Sequence, residues 1–487
     1  MPLFNELQKL SSFYTSKQPT LAHNQRLFQM YEGNLLDFIL KDLCDQLSDK
    51  SFALAKHRVA PINILIRLID KLSKIYIRAP KRTIIDGNDN DKALLEWYEE
   101  NMQIDSTMNQ INELFNLHKS TTMEPFLENR LPRLRGVPAD RSLWYSNDTL
   151  NPVNPTHWIK FLGEMELPGR TTEVKFIYSD KEFLIVDSEF KVIPELMAKF
   201  EVNEGLNPFG RIPAIYINRS LYSIVPPIDT DLERMVKIFP IMLSDLNFAV
   251  MMQSFSITYG IDVDDENLTM SPNAFWSFKS DKSSKNAPQI GIIKPQVDIG
   301  ETIQFLEAQL QLWLNSRSVR AGTIGGAGVE NRASGISKII DESDTTEDRQ
   351  KQVQFFKQAE EDFWELITKT MHPYWRKNKL IDTTLDFSSN MQIKVEFPEQ
   401  IPLSRRADLL DEVLKELNGG LTLPEIAIQR LNPGMAEDEA LELLEKIKES
   451  RTIKVEVQET DTEEDDATEE NPIEDGDNLN ASAESQD

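Results

Sequence analysis

The sequence predicts an α+β fold that is predominantly helical, and three observations support this prediction. Apolar residues recur at helical spacing through most of the first 120 residues, as at Ile62, Leu65 and Ile69. Short segments rich in β-forming residues follow, between about residues 130 and 218. Long helical patterns then dominate the second half of the chain, and a glycine-rich stretch interrupts them.

Composition limits the class of protein. The chain has 487 residues, which is enough for several domains and a large core. Apolar residues make up 40% and charged residues 27%, as in ordinary globular proteins. The longest apolar runs are too short for a membrane span, and the N-terminus has no signal-peptide pattern, so we expect no membrane segment. With Cys44 as the single cysteine, no internal disulfide or cysteine-based metal site can form.

The chain is strongly acidic, with a formal net charge of −27. The segment from Glu456 to the end holds 14 acidic residues and no basic ones, so part of the charge belongs to this tail. The body also carries more acid than base. Proteins that bind nucleic acid tightly usually carry a net positive charge. The acidic sequence therefore argues against tight DNA binding, but it is compatible with DNA sliding past.

The N-terminal half is predicted to begin with helices and to continue with strands. The polar turn at residues 87–91 should separate the second helix from the third. The helices are predicted at Asn24–Leu47, Pro61–Ile77 and Ala93–Leu117. The strands are predicted at Trp158–Leu162, Glu173–Tyr178, Glu182–Val186 and Ala214–Ile217.

The second half is predicted to hold long helices around a small insert. A helix follows Asp229, and Pro240 should kink it. An insert at residues 260–298 follows this helix and has strand patterns at 274–278 and 289–293. The remaining predictions are a helix over 299–316, a long helix from Ala333, a strand at Met391–Phe397, a three-helix module at 405–450 and a disordered acidic tail after Val457.

The glycine-rich loop invites a phosphate-binding interpretation. Four glycines, Gly322, Gly325, Gly326 and Gly328, fall within seven residues. A P-loop needs a lysine followed by Ser or Thr and a preceding strand, and this loop has neither. A dinucleotide fingerprint fails because a helical pattern precedes the glycines. A flexible linker between two helices is one alternative, and a functional mobile loop is the interpretation that we favour.

No catalytic or metal site is predicted, and no cofactor is expected. The five histidines are scattered without metal-ligand spacing. Asp229 and Asp231 are expected to cap a helix rather than to bind Mg²⁺. Cys44 lies in an amphipathic pattern with no histidine nearby, and no nucleophile elbow occurs.

Basic residues cluster around the glycine-rich loop, at Arg317, Arg320, Arg332 and Lys338. In a single chain this is a modest patch, for which ion pairing at helix ends is the simpler explanation. In a ring each position would become a girdle of positive charge. Such a girdle would give weak, salt-screened contacts to phosphates without reading bases.

The order of these elements resembles the portal proteins of tailed bacteriophages, which are the head-to-tail connectors. The resemblance covers most of residues 20–450 and rests on order and spacing, while the acidic tail lies outside it. The stretches that carry it are Tyr31–Gly33, Asn63–Pro80, Asn207–Pro213, Asp231–Val250 with Asp245–Asn247, Arg332–Lys338, Asn418–Ile428 and Asn432 with the Pro-Gly that follows.

The resemblance implies a ring subunit with a wing, a stem, a clip and a crown. The wing would take residues 1–228, the stem helices 229–259 and 299–317, and the clip 260–298. Residues 318–334 would form the tunnel loop, 335–379 a long helix returning to the wing, and 380–455 the crown. Residues 456–487 would be a disordered tail.

The resemblance also implies partners and sites. The family forms a dodecameric ring in the virion, at the capsid vertex, after assembly in the host cytoplasm. Its partners are double-stranded DNA, the major capsid protein, the terminase motor and neck or adaptor proteins. The implied tunnel-loop residues are Arg320, Gly322, Gly325, Gly326, Gly328, Asn331, Arg332 and Ser334, and the implied DNA contacts are Arg317, Arg320, Arg332 and Lys338. The implied clip contacts for adaptors are Phe275, Trp276, Phe278, Lys279, Lys282 and Lys285.

Two alternatives from other classes stay open. A scaffold of a virion or cell would bind partners through its helical C-terminal module and acidic tail. A nucleotide-binding enzyme would use the glycine-rich loop.

Overall fold

The computed structural model describes most of the chain outside the central loop and the tail. The described residues are 2–148, 150–167, 170–200, 205–254, 257–261, 276–278, 289–293, 299–317, 319, 335–398, 403–432, 435 and 439–448. Within them, only the backbone is described for residues 2–5, 54, 248, 251–260, 276–278, 289–293, 335–347 and 403–408. The fold is α+β with more helix than strand, as predicted.

The chain divides into two compact units, Met1–Ser404 and Arg405–Asp487. The predicted crown begins at residue 380, which lies inside the first unit. Residues 380–398 belong there because a strand in this segment, Gln392–Glu396, pairs with an N-terminal strand, Lys81–Ile85.

The first helix is much longer than predicted. It begins at Pro2 rather than Asn24, and a π-helical turn at Met30–Asn34 separates it from the second helix. Gly33 in that turn has φ of +111°, a conformation that glycine adopts without a Cβ clash. The helix predicted at Pro61–Ile77 begins later, because the Asn63 side chain accepts a hydrogen bond from the Leu65 amide and so caps it. The bounds are α1 Pro2–Gln29, α2 Leu35–Gln46, α3 Asp49–Ala55 and α4 Ile64–Leu72, with a 3₁₀ turn at Ile75–Ile77.

The helix predicted at Ala93–Leu117 is in fact two helices, α5 at Asp89–Met102 and α6 at Ile104–His118. Gln103 between them adopts the left-handed conformation, with φ of 47°. Glutamine is a good helix former, so nothing in the local sequence marks this break.

Two antiparallel sheets follow the helices. One has the strand order β4 (Ser142–Tyr145), β5 (His157–Leu167), β6 (Arg170–Tyr178) and β7 (Phe183–Val186). The other has the order β3 (Leu131–Val137), β2 (Ser120–Glu128) and β8 (Ile215–Asn218). The four strands predicted from the sequence are present as β5 to β8, whereas β2 to β4 were missed. Pro125 and Pro132 lie inside β2 and β3 and weaken their strand signal. Helix α7 lies at Pro194–Lys199.

Beyond Pro227 the chain forms a long helix, a small sheet and a second helix. The helix runs from Thr230 through Pro240 to Ser254. The small sheet has order β10-β9-β11, with β10 parallel and β11 antiparallel to β9. The bounds are α8 Thr230–Ser254, β9 Ile257–Ile261, β10 Trp276–Phe278, β11 Gln289–Ile293 and α9 Ile299–Asn315.

A very long helix, α10 at Gly335–Leu366, continues through a π-helical turn at Ile367–Met371 into α11 at His372–Lys377. Its apolar face packs into the largest core cluster, where Phe356, Phe363 and Trp364 are fully buried against α5, α6 and the strand pair β1–β12. Strand β1 at Lys81–Ile85 pairs antiparallel with β12 at Gln392–Glu396.

The second unit is helical, as predicted. Its helices are α12 at Leu403–Asn418, α13 at Pro424–Leu431 and α14 at 439–448. The glycines predicted to end the first of them do so. Gly420 has φ of +68°, and the Leu421 amide donates to the Glu416 carbonyl at 2.9 Å.

Among the described helices, none is both long enough and apolar enough to span a lipid bilayer.

Candidate functional site

Most of the predicted loop and clip residues lie outside the described residues. For Lys338, Trp276 and Phe278 the backbone is described, in α10 and β10 respectively. Arg317 is the one predicted DNA contact whose side chain is described. The predicted residues outside the description are Phe275, Lys279, Lys282, Lys285, Arg320, Gly322, Gly325, Gly326, Gly328, Asn331, Arg332 and Ser334.

The part of this region that can be described is a hairpin of α8 and α9 with the sheet β9–β11 between them in sequence. At about 1.5 Å per residue, α8 is about 38 Å long and α9 about 26 Å. The C-terminal end of α9 contacts the N-terminal end of α8, because the Trp313 indole donates to Asp231 at 2.8 Å. The two helices are therefore antiparallel.

Arg317 closes the base of this hairpin. Its Nη1 and Nη2 donate to the two carboxylate oxygens of Asp229 at 3.1 and 2.9 Å, and Nη2 also donates to Asp231 at 2.8 Å. The guanidinium lies 5.0 Å from the Trp313 ring centre, in a cation–π contact. Only 19% of the Arg317 side chain is exposed. Ion pairing at the helix end, the simpler explanation for this arginine, is present.

Asp229 has two roles in this cluster. Its Oδ1 accepts from the Leu232 amide at 3.1 Å, so it caps α8 as predicted. It also accepts from Lys119 at 2.9 Å. Burial alone would raise the pKa of Asp229, but hydrogen bonds from Arg317 and Lys119 outweigh it and hold the pKa well below its usual value. The carboxylate stays ionised, and the base of the hairpin is tied to the end of α6.

The charges of this cluster cancel. Arg317 and Lys119 face Asp229 and Asp231, so no excess positive charge lies at the base of the hairpin. A DNA contact by Arg317 would require it to exchange these carboxylates for phosphates. That role stays a prediction, whereas its part in holding α8 to α9 follows from the contacts.

A second polar cluster anchors α8 to the N-terminal helices. Glu233 accepts from His23 Nδ1 at 2.7 Å and from Arg26 Nε at 2.9 Å. The hydrogen bond from His23 is the main reason that the pKa of Glu233 falls to about 2. One turn further, Lys237 pairs with Asp42 at 2.8 Å. The hairpin is therefore fixed at its base to α1, α2 and α6.

The outer faces of the hairpin carry exposed apolar side chains. Phe305 and Leu312 on α9 are 55% and 72% exposed, and their seven-residue spacing puts them on one face. Ile238 and Val250 on α8 are also exposed. A neighbouring part of α9 is buried through Leu306, Trp313 and Leu314. A two-helix element with an exposed apolar face suits packing against another protein surface.

The described residues were compared with what a metal site or a nucleotide site requires. They contain no group of three or more His, Cys, Asp or Glu placed to hold a metal ion. One polar cleft, lined by Thr121, Trp144 and Tyr216 among others, has a volume of about 20 Å³. That is room for about one water molecule and far too small for a nucleotide.

The sequence predicted the cap at Asp229 and offered ion pairing as an explanation for Arg317. It did not predict which residues pair with Asp229, Arg317 and Glu233. Lys119, His23 and Glu233 are separated by as many as 210 residues along the chain, as between His23 and Glu233. No local spacing could have paired them.

No family model matches this chain, and no curated protein matches it.

Proposed function

We propose that this chain is a structural portal subunit of a tailed bacteriophage. In this proposal copies of it form a closed ring, a dodecamer as in the family that it resembles, at one vertex of the capsid. Double-stranded DNA passes through the ring during packaging and ejection. The ring is the docking site for the terminase motor and for neck or adaptor proteins, it contacts the major capsid protein, and it performs no catalysis.

The α8–α9 hairpin is the observation that carries the proposal. Its base is fixed by the Arg317–Asp229 and Glu233–His23 contacts, while Phe305 and Leu312 present an exposed apolar stripe. A rigid helical hairpin with a sheet between its helices and an apolar outer face is suited to packing side by side with copies of itself. In the proposed ring, α8 and α9 are the stem, and β9–β11 belong to the clip.

The net negative charge of the chain favours the passage of DNA over tight binding of DNA. A channel lined mainly by carboxylates repels the phosphate backbone, and a few arginines give brief contacts. Neutralisation of Arg317 within the hairpin base leaves Arg320, Arg332 and Lys338 as the proposed channel cations. The glycines between Gly322 and Gly328 would let the tunnel loop, residues 318–334, change shape as DNA moves.

Negative-stain electron microscopy of the purified chain, combined with native mass spectrometry, tests the proposal. The expected result is closed rings with a central hole and a single dominant subunit number. Monomers or open filaments would contradict it and favour the alternative of a scaffold that binds partners by other surfaces. Specific ATP or GTP binding that is lost in a Gly325→Ala variant would favour the nucleotide-binding enzyme instead.

A further inference from the structure

Arg349 in α10 is a buried cation that has no acidic partner among the described residues. It is 9% exposed. Its Nη2 donates to the Pro398 carbonyl at 3.2 Å, and its buried Nε has no hydrogen-bond acceptor. Among the described residues no carboxylate lies within ion-pair distance of it. Buried arginines are normally paired, so an arginine left in this state indicates that a group from outside completes the site.

The surroundings of Arg349 add a second cation. Phe356 lies two helical turns further along the same face of α10, and the Tyr76 ring contacts both Phe356, at 5.8 Å, and Phe397, at 5.3 Å. The segments after Tyr76 and before Pro398 therefore border Arg349. Arg78 belongs to the first of them and is exposed. Burial and the nearby positive charge of Arg78 together lower the pKa of Arg349.

Two acids of the same region, the adjacent Asp348 and Glu360 beside Tyr76, already accept hydrogen bonds from other groups. Asp348 accepts from Arg219 at 2.8 Å and from Gln352 at 2.7 Å. Glu360 accepts from Tyr76 at 2.7 Å and from Arg82. Neither is available to Arg349.

Arg82 shows by contrast how this fold normally treats a buried arginine. Its side chain is 4% exposed, and it pairs with three carboxylates, those of Glu360, Glu99 and Asp105. Arg82 is therefore buried with three acidic partners, whereas Arg349 is buried with none among the described residues and lies near the exposed Arg78.

We infer that Arg349 and Arg78 form a carboxylate-binding site that receives an acidic side chain from a second copy of this chain. This inference rests on the proposed function, which supplies neighbouring copies. A free Nε–H and the adjacent Nη–H of Arg349 match the two oxygens of a carboxylate. A carboxylate on a flexible stem can reach a guanidinium that is 9% exposed, whereas the phosphates of a rigid duplex cannot approach it closely. The chain has 80 acidic and 53 basic residues, so a second copy has ample carboxylates to offer.

Isotope-mixed cross-linking of the full chain tests this site. The Arg78→Lys variant keeps the charge and introduces an amine that a carbodiimide can join directly to a touching carboxylate. Unlabelled and ¹⁵N-labelled copies of the variant are mixed, assembled, treated with carbodiimide, digested and analysed by mass spectrometry. The expected product is a mixed-isotope link between position 78 and one Asp or Glu, which also identifies the acid. The matched control is Arg170→Lys, an exposed arginine of strand β6, which should give no dominant mixed link.

A second substitution shows whether Arg349 holds the acid. In the Arg78→Lys background, Arg349→Gln should lower the yield of the mixed link about tenfold, since a hydrogen-bonded ion pair is lost. If Arg349→Gln impairs folding, Arg349→Lys in the otherwise unchanged chain replaces it, and a mixed-isotope link from position 349 to the same acid is then expected.

Several outcomes would overturn the inference. The first is that position 78 forms links only within one isotope, and the second is that it forms no link. The third is that a duplex DNA oligonucleotide protects the introduced amine and no mixed link forms. Closed rings without a mixed link would contradict this inference alone. Failure to form rings would contradict the proposed function.

Discussion

Arg317 donates two hydrogen bonds to the carboxylate of Asp229 across 88 residues of sequence. This pair brings the end of α9 back to the start of α8, so the hairpin and its small sheet leave and rejoin the body at one point. Asp229 also caps α8, so one carboxylate sets both where the helix begins and where its partner helix ends. The Arg317–Asp229 pair therefore holds the two ends of the hairpin together.

The first prediction concerns this pair. Arg317→Gln should lower the free energy of unfolding by about 2 kcal/mol, because it leaves a mostly buried carboxylate with fewer donors. Asp229→Asn should lower it by a similar amount, because Arg317 and Lys119 lose their charged partner although Asn can still cap α8. Urea denaturation of the two variants and the double variant should give a coupling free energy of about 1–2 kcal/mol.

The matched control is Arg170→Gln, which removes an exposed arginine and should change stability by less than about 0.5 kcal/mol. Additive effects of the Arg317 and Asp229 substitutions would mean that the pair does not hold the hairpin.

Many of the helices and strands followed from local patterns, but β2 to β4 and the first part of α1 did not. Two cases show why local patterns can fail. The left-handed Gln103 splits a helix that its own sequence favours, and Pro125 hides a strand that tertiary pairing with β3 and β8 stabilises. Site geometry was less predictable still, since the partners of Arg317, Glu233 and Arg349 are set by packing between distant segments. Residue type indicated that these side chains would be charged, but only the fold determines which of them find a partner.

The second prediction concerns acid stability. His118 is buried, and neither ring nitrogen has a hydrogen-bond partner in the described chain. Burial, with the nearby His23, lowers the pKa of His118 to about 3. The unfolded chain binds a proton near pH 6.5 and the folded chain does not, so stability present above pH 6.5 declines as the pH falls toward 3. Between pH 7 and 5 this group should lower the free energy of unfolding by about 2 kcal/mol.

Replacing His118 with phenylalanine should remove that part of the pH dependence, because the apolar pocket beside Phe28 then holds no titratable group. The measurement is urea denaturation at pH 7 and pH 5. The control is Leu150→Asn, which alters an exposed residue without a titratable group and should leave the pH dependence unchanged. An unchanged difference between the two pH values in His118→Phe would assign the acid sensitivity to other groups.

The third prediction separates assembly from folding. Phe305 and Leu312 are exposed on one face of α9, so Phe305→Asn with Leu312→Asn should change the stability of the isolated chain by less than about 1 kcal/mol. The same pair should abolish or strongly reduce ring formation, because the proposed neighbour loses its apolar contact. Mass photometry would report the fraction of chain in rings, and circular dichroism would report folding.

Leu150→Asn is the matched control for this pair. Leu150 is 96% exposed and lies between β4 and β5, away from α9 in the sequence. Rings should form normally in this variant. Rings of normal yield in the α9 double variant would show that the hairpin face is not a subunit contact.

The last prediction concerns the channel cations, and the Arg317–Asp229 pair changes how they should be tested. Reversing the charge of Arg317 would place a third acid beside Asp229 and Asp231, so any loss of function would reflect a damaged hairpin. Arg320→Glu and Arg332→Glu avoid this ambiguity. In the proposed channel they should leave ring formation and thermal stability unchanged while lowering DNA packaging or genome retention, because phosphate contacts are replaced by repulsion. Packaging assays at two salt concentrations should show a smaller salt dependence in the variants, since fewer counterions are released when fewer cations meet phosphate. Normal packaging and retention in both variants would remove Arg320 and Arg332 from the set of DNA contacts.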